Sequence, residues 1–498
     1  MTPVSLNRLD LASLATLPRA IARPDFDPAR LEPGIVHLGI GAFHRAHQAV
    51  YTDRALGLEP GSWGICGVSL RSAEVRERMA PQAGLYTVIE KSPAGIDRRV
   101  IGSVREVLFL GDQRAQVGVR LADERIRIVS LTITEKGYCH DPATGRLDFG
   151  HRDIAHDLAS KDPVSAVGLI TAALRARKES RRRGFTVLCC DNLPHNGALL
   201  RALVVEYAGA IDPALARWIE DEARFPSTMV DRIVPATTPA DVAENDAALG
   251  VHDAATVVCE PFIQWVIEDD FLGEHPGWER AGAQLVAEVG PFEAMKLRLL
   301  NASHSAFAYL GYLAGCETIY EVAARPEFVL FMRRMMAEEV VPTLSVPAGV
   351  DVARYESDLI TRFGNPALPH RTQQIAMDGS QKLPQRLLAT MRENLAAGRP
   401  IALLSLAVAG WMSYVSGIDE NGAAIRVSDP LAAEFARIAS QCARNAGRLA
   451  ENLLAVKAVF GDDLPRNTEF TRQVRRSLEL LFAEGAARTV ARAVGAHV

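Results

Sequence analysis

Cysteine is sparse, with seven in 498 residues and none in a CxxC pair, so neither a zinc ribbon nor a dithiol redox motif is written here. Cys66, Cys139, Cys189, Cys190, Cys259, Cys316 and Cys442 sit mostly in apolar runs such as Thr186–Cys190, where a free thiol acts as a small hydrophobe. A reducing cytoplasm is expected. A strong excess of either charge is also missing. Fifty-five Lys and Arg against 60 Asp and Glu give a net charge of −5, which excludes a general nucleic-acid binder held by a basic surface. It leaves room for a local basic pocket that takes an anionic small molecule. The first twenty residues hold Arg8, Asp10 and Arg19 and no apolar run, so no signal peptide is expected. Two uncharged stretches, 299–316 and 400–418, are long enough for a membrane. The first contains Asn301, Ser303, His304 and Ser305 and the second Pro400, three serines and Gly410, so both are expected as buried helices. No internal repeat or low-complexity segment is present.

What is there fits a globular chain: 48% hydrophobic and 23% charged residues. At roughly 100–200 residues per domain the length predicts two to four domains. In the N-terminal half, short β-branched runs at 35–38, 63–70, 85–90, 126–134, 185–190 and 256–259 alternate with helical stretches. That alternation predicts an α/β fold with a doubly wound parallel sheet. After about residue 286, Ala/Leu/Arg/Glu helical patterns dominate, as at 293–313, 326–339, 384–397, 401–416, 430–445 and 471–491. The expected division is an α/β domain over 1–286 and a mostly α-helical domain over 287–498.

Three segments carry chemistry. The run 35–47 reads strand, glycine turn, helix start. Gly39 permits the tight turn, and Gly41 lets backbone N–H groups approach a pyrophosphate at the following helix start, with Ala42, Phe43 and Arg45 alongside. The third glycine of GxGxxG is absent, because His44 stands there, so an ordinary βα turn is an equal reading. After the second strand, Glu74 could accept the ribose hydroxyls of NAD, whereas Arg71 could meet the 2′-phosphate of NADP. NAD is the preferred cofactor.

The second segment is 291–305. On an α-helix, Lys296, Asn301 and His304 fall at 0°, about 140° and about 80°, on one flank of an otherwise uncharged stretch. Desolvation would lower the pKa of a buried lysine and fit it for general-base work. Asn301 could donate to an oxygen that gains charge during hydride transfer, and His304 could orient a hydroxyl. A snorkelling lysine and a hydrogen-bonded core histidine explain the same residues. The third segment is Cys190–Gly197, a polar turn after an apolar strand, where α/β sheets bind ligands; Glu135 holds a similar position after the run 126–134. An Asn-Gly turn with a helix cap is its plain alternative.

Taken together the sequence resembles the polyol-specific long-chain dehydrogenase/reductase family, also called the mannitol dehydrogenase family, from about Arg30 to Ala491. The blocks are GIGAFHRAHQAVYTD (39–53), SLTITEKGYC (130–139), CDNLPHNG (190–197), TMVDRIVPATTP (228–239), CEPFIQWVIEDDF (259–271), MKLRLLNASHS (295–305) and HRTQQIAMDGSQKLPQR (370–386). The resemblance implies a Rossmann-type N-terminal domain, a helical C-terminal domain and an active site in the cleft between them. It implies metal-free catalysis with Lys296 as general base in oxidation and general acid in reduction. Asn301 and Asn192 would bind the oxyanion, His304 would position the substrate, and Glu293 would exchange protons with solvent. Asp231, Lys382 and His195 would line the site. Where mannitol 2-dehydrogenases carry an arginine eight residues before the last lysine, this sequence has Gln374. The 370–386 block looks more like the fructuronate reductase (D-mannonate oxidoreductase) branch, and Leu193-Pro194-His195 more like the mannitol branch. A uronate carboxylate needs a cation, for which Arg371 or Lys382 could serve. The implied partner is thus a small sugar acid or polyol, with neither nucleic acid nor membrane; the sequence leaves the oligomeric state open, monomer and weak dimer alike. A metal-dependent sugar dehydrogenase and a cofactor-binding sensor without turnover are the competing classes. The twelve scattered histidines weigh against the first and the Lys296/Asn301/His304 set against the second.

Overall fold

The computed structural model describes residues 6–141 and 144–495. The chain divides into two compact units, one ending at Gly290 and the other starting at Pro291. Among the described residues the first unit contains eleven strands: β1 Pro33–Leu38, β2 Gly64–Ser69, β3 Tyr86–Ser92, β4 Gly95–Ile101, β5 Val104–Phe109, β6 Ile128–Leu131, β7 Thr186–Cys189, β8 Thr228–Asp231, β9 Val257–Cys259, β10 Gln264–Glu268 and β11 Gln284–Val286. Five of them form one sheet in the order β5-β2-β1-β6-β7, with every neighbour parallel.

Both faces of this sheet are covered, which is why its strands read as continuous apolar runs. Val36, Leu38, Val129 and Val187 pack on one face against Val117, Val167, Ile170, Leu200 and Leu203 of three helices. Ile35, Ile65 and Ile128 face the other way, towards Ala49, Val50, Leu56 and the Trp265–Trp278 pair. Alternate residues of a strand point to opposite faces, so one sheet builds two cores. This is a doubly wound, Rossmann-type sheet.

The runs at 85–90 and 256–259 do form strands, but outside the parallel sheet. β3 turns through Gly95 into antiparallel β4 and takes β9 as a parallel neighbour in a separate three-stranded sheet. The fifth parallel strand is β5 at the sheet edge, where Arg105 and Glu106 stand half-buried between the buried Val104 and Val107. β8 and β11 flank β10 in a third sheet.

The second unit is helical. Helix Ala402–Val415 has every residue from Leu403 onward buried, and packs against helices Ala302–Leu313 and Thr468–Glu484. Gly410 lets the first two approach: a Cβ there would lie 2.7 Å from Leu310 Cδ2. Among the described residues no helix is long and apolar enough to cross a membrane.

Candidate active site

In the first unit the site begins at the end of β1. Gly39 has φ +92°, and a Cβ on it would lie 2.1 Å from the Thr132 carbonyl oxygen, so both conformation and space demand glycine. Its N–H donates to the Val68 carbonyl at 2.8 Å, and Gly41 N–H donates to Gly39 O at 2.7 Å. Gly41 differs: the nearest atom to a Cβ there is 3.9 Å away. That open side, just before the helix Ala42–Ala46, is a cradle that a side chain would fill, and it fits a pyrophosphate laid against the backbone.

The turn is braced from beneath. The buried His37 contacts Thr132 Oγ1 through Nε2 at 2.9 Å and Ser130 Oγ through Nδ1 at 2.8 Å. Thr132 donates to the Gly39 carbonyl at 2.8 Å. His44, at the position of the third motif glycine, stacks on His37 with ring centroids 3.4 Å apart. Burial pushes the His37 pKa down to about 3 and that of His44 well below the usual range, so both rings are neutral. Arg45 is buried; its guanidinium binds the Ala255 and Gly41 carbonyls and lies over the Tyr86 ring. It therefore ties the helix start to the fold. Phe43 stacks with His47 at 5.0 Å.

Beyond β2, Arg71 pairs with buried Asp153 at 2.6 Å, and exposed Glu74 pairs with Arg78 one helical turn on. Glu135 is exposed on the turn Glu135–Tyr138 that follows β6. Beyond β7, the Asp191 carboxylate accepts the N–H groups of Ile133 (2.8 Å) and Thr134 (3.2 Å) and the Tyr138 hydroxyl (2.7 Å). Asn196 donates to Asp191 O and Thr228 O and accepts Thr228 N–H, which joins the same loop to β8. Asn192 and His195 are exposed on this braced loop, His195 with φ +47°. Asp231 ends β8 and is buried; the next residue, Arg232, donates to the Ala46 carbonyl at 2.6 Å. The first unit thus gathers the glycine turn, the Asn192 loop and the end of β8 around one braced framework.

In the second unit Lys296, Asn301 and His304 lie on a single helical run, Gly290–Leu313, but not on a regular α-helix. Lys296–Asn301 is a π-helical turn between α segments, and Ala302 N–H donates to Leu297 O, five residues back. This corrects the expected angles. A π turn gives i and i+5 the relation that i and i+4 have in an α-helix, so Lys296 and Asn301 stand nearer one face than about 140°. Lys296 is 8% exposed, and Glu293 and Asn301 are half-buried.

His304 sits among rings and cations. Phe363 lies 5.0 Å and His370 4.9 Å away, centroid to centroid. Burial, then the charges of His370, Arg386, Arg362 and Lys382, push its pKa well below the usual range. His370 is pushed down to about 4 by burial and by Lys382. Lys382 Nζ donates to the Ile375 and Met377 carbonyls, and Arg386 to Asn301 O (3.4 Å) and Ser305 Oγ (3.0 Å). Arg371 is exposed at the start of helix Thr372–Ile375. Sequence reasoning missed His370 and Arg386, although both lie inside the 370–386 block and Arg386 is one helical turn beyond Lys382. It also gave no role to His37 in the 35–47 run or to Asp191 in the Cys190–Gly197 turn, because their partners, Ser130 and Thr132 for the first and Ile133, Thr134 and Tyr138 for the second, lie far along the chain.

The chain matches the mannitol dehydrogenase Rossmann domain over residues 33–280 and the mannitol dehydrogenase C-terminal domain over 288–482. It is 48% identical to a D-mannonate oxidoreductase of Escherichia coli (strain K12) over 476 residues, 95% of this chain and 98% of that protein. A mannitol 2-dehydrogenase of Aspergillus terreus is 38% identical over 501 residues, 98% of this chain and 99% of that one. The solved ternary complex of Pseudomonas fluorescens mannitol 2-dehydrogenase with NAD and D-mannitol superposes with a TM-score of 0.88 at 38% identity, covering 98% of this chain and 99% of that one. The chain belongs to the mannitol dehydrogenase family. It is an oxidoreductase of that family, with the family's Rossmann and helical domains.

Proposed function

We propose that this enzyme interconverts D-mannonate and D-fructuronate. It is an NAD-dependent oxidoreductase acting on CH–OH groups. NAD, when bound, supplies the hydride acceptor in oxidation and the donor in reduction. Gly39 and Gly41 take the pyrophosphate, Ala42, Phe43 and Arg45 shape its seat, Glu74 accepts the ribose hydroxyls, and Glu135 joins from the turn after β6. In oxidation, Lys296 takes the hydroxyl proton as the hydride leaves the same carbon; in reduction it returns that proton to the oxygen. Asn301 and Asn192 donate to the oxygen as its charge develops. Glu293, one turn before Lys296, passes the proton to solvent. His304, kept neutral, orients a substrate hydroxyl, with Asp231 and His195 as further hydroxyl partners.

The observation that carries the substrate choice is the set of cations round His304: Arg386, Arg362 and Lys382, with His370 beside them. A sugar acid offers a carboxylate to such a set, with Arg371 at its margin, and a polyol does not. A second reading, oxidation of D-mannitol to D-fructose, is favoured by the likeness to mannitol 2-dehydrogenase. The deciding experiment measures initial rates of NADH oxidation with D-fructuronate, D-tagaturonate and D-fructose side by side. A wide margin for fructose sinks the sugar-acid reading. Lys296→Ala is expected to bind NADH without turnover, and a chelator to leave activity at saturating NADH undiminished. Seven buried, unpaired cysteines favour work in a reducing compartment such as the cytoplasm.

A further inference from the structure

The first unit carries a constellation that this reaction leaves unused. Cys139, His151 and Asp153 each offer a ligand atom, and these atoms all lie within 4.8 Å of one another. Among the described residues it is the one such group of three or more His, Cys, Asp or Glu side chains. Cys139 and Asp153 are buried and His151 half-buried. Cys139 follows the turn Glu135–Tyr138 and holds φ +53°, a conformation that a non-glycine residue keeps only where its surroundings impose it. His151 caps helix Arg152–Ala159, with Nδ1 accepting Asp153 N–H at 3.2 Å. The Asp153 carboxylate is held by Arg71 at 2.6 Å and Arg152 at 3.3 Å.

We propose that Cys139, His151 and Asp153 form a reversible binding site for a thiophilic divalent cation such as Zn2+, and that the ion weakens or strengthens cofactor binding by drawing Asp153 away from Arg71. A thiolate, an imidazole and a carboxylate suit Zn2+ and leave a fourth position for water. The thiolate and carboxylate balance the two positive charges, and the thiol proton leaves to solvent. Ligand atoms round a tetrahedral Zn2+ stand roughly 3.3–3.8 Å apart, so the group closes by at most about 1.5 Å. Two features make the site reversible. His151 must give up its cap, because a metal-bound ring has no lone pair left to accept from Asp153 N–H. Arg71 and Arg152 compete with the ion for the carboxylate. Arg71 follows β2, where Rossmann-type sheets meet the cofactor ribose, so its release is felt there. This second half rests on the NAD reading; the metal site does not.

The test titrates Zn2+ calorimetrically into the full-length protein and records the absorption of its Co2+ form. Wild type is expected to bind one equivalent with a thiolate-to-Co2+ charge-transfer band, and Cys139→Ser to lose that band. His151→Gln should weaken Zn2+ by at least the roughly tenfold that loss of an outer-shell partner costs, and Arg71→Gln should tighten it. No band in wild type, or the same band in Cys139→Ser, overturns the site. Should Cys139→Ser fail to fold, unchanged Zn2+ affinity in His151→Gln overturns it equally. The NAD+ dissociation constant is then measured with and without saturating Zn2+. Equal values overturn the coupling alone, whereas absence of NAD+ binding in metal-free protein overturns the cofactor reading and leaves the metal result standing.

Discussion

Tyr138 donates its hydroxyl to the Asp191 carboxylate at 2.7 Å, and the same carboxylate takes two backbone N–H groups from the loop after β6. Burial pushes the Asp191 pKa up, and these three donors oppose it. The loops that carry Glu135 and Asn192 are thereby one braced piece. In Asp191→Asn the amide can accept with one oxygen only, and its NH2 faces donors. We expect kcat to fall about tenfold, equivalent to about 1.4 kcal/mol of transition-state stabilisation, as Asn192 loses its support. Tyr138→Phe removes a single donor and should cost about 1 kcal/mol of stability with a smaller change in kcat. Steady-state kinetics and thermal melting separate the two effects. Unchanged kcat in Asp191→Asn would show that the carboxylate does not position Asn192.

The two glycines of the turn should fail in different ways. Gly39→Ala meets the Thr132 carbonyl at 2.1 Å and a strained φ, so it should lower the melting temperature as well as NAD binding. Gly41→Ala meets nothing nearer than 3.9 Å, so it should melt normally yet bind NAD weakly, its methyl filling the pyrophosphate's place. Calorimetric NAD titration beside a melting curve tests this. Normal NAD affinity in Gly41→Ala would remove the cradle from the argument.

Substrate charge gives a third prediction. Arg386 touches Asn301 and Ser305 on the Lys296 helix and acts on His304. Replacing it by Gln should raise KM for a sugar acid about tenfold or more, the scale of one charged hydrogen bond, while the neutral sugar changes less. Lys382→Met should act in the same direction. A ratio of kcat/KM values for fructuronate and fructose that stays constant across both variants would mean that these cations do not read the carboxylate.

The glycine turn, the buried strands round it and the long apolar helix were legible in the sequence because each is written locally. Apolar runs give β1, β6 and β7, and Gly39 sits where only glycine fits. What was not legible depends on partners far along the chain. Nothing local tells that 85–90 pairs with β4 and β9 instead of joining the parallel sheet, or that 104–109, with Arg105 and Glu106 inside it, supplies its edge. The π turn at Lys296–Asn301 inserts one residue into a helix whose sequence reads as regular α. Cys139, His151 and Asp153 are too widely spaced for a ligand motif, and the fold alone brings them together. His370 and Arg386 gain meaning only from their closeness to His304.

Buried neutral histidines set the acid limit of the fold. His37 is pushed down to about 3 and His370 to about 4, and His44 and His304 lie well below the usual range, with burial the largest cause in each. At pH above about 6.5 these rings are neutral in both folded and unfolded chains, and the fold loses nothing. Below that, the unfolded chain takes up a proton on each ring while the folded chain does not, down to about pH 3 for His37. The unfolded state then binds more protons, so stability rises with pH across this window and is lost as pH falls. Each such ring contributes up to about 1.4 kcal/mol per pH unit. Urea unfolding of the first unit at about pH 5, 5.5 and 6 should therefore steepen with acid, through His37 and His44 together. His44→Leu removes one of the two protons, and its stability profile should be shallower than that of the parent by about 1.4 kcal/mol per pH unit. Parallel profiles for parent and variant would mean that His44 is already protonated in the fold, and its stacking on His37 would then need another explanation.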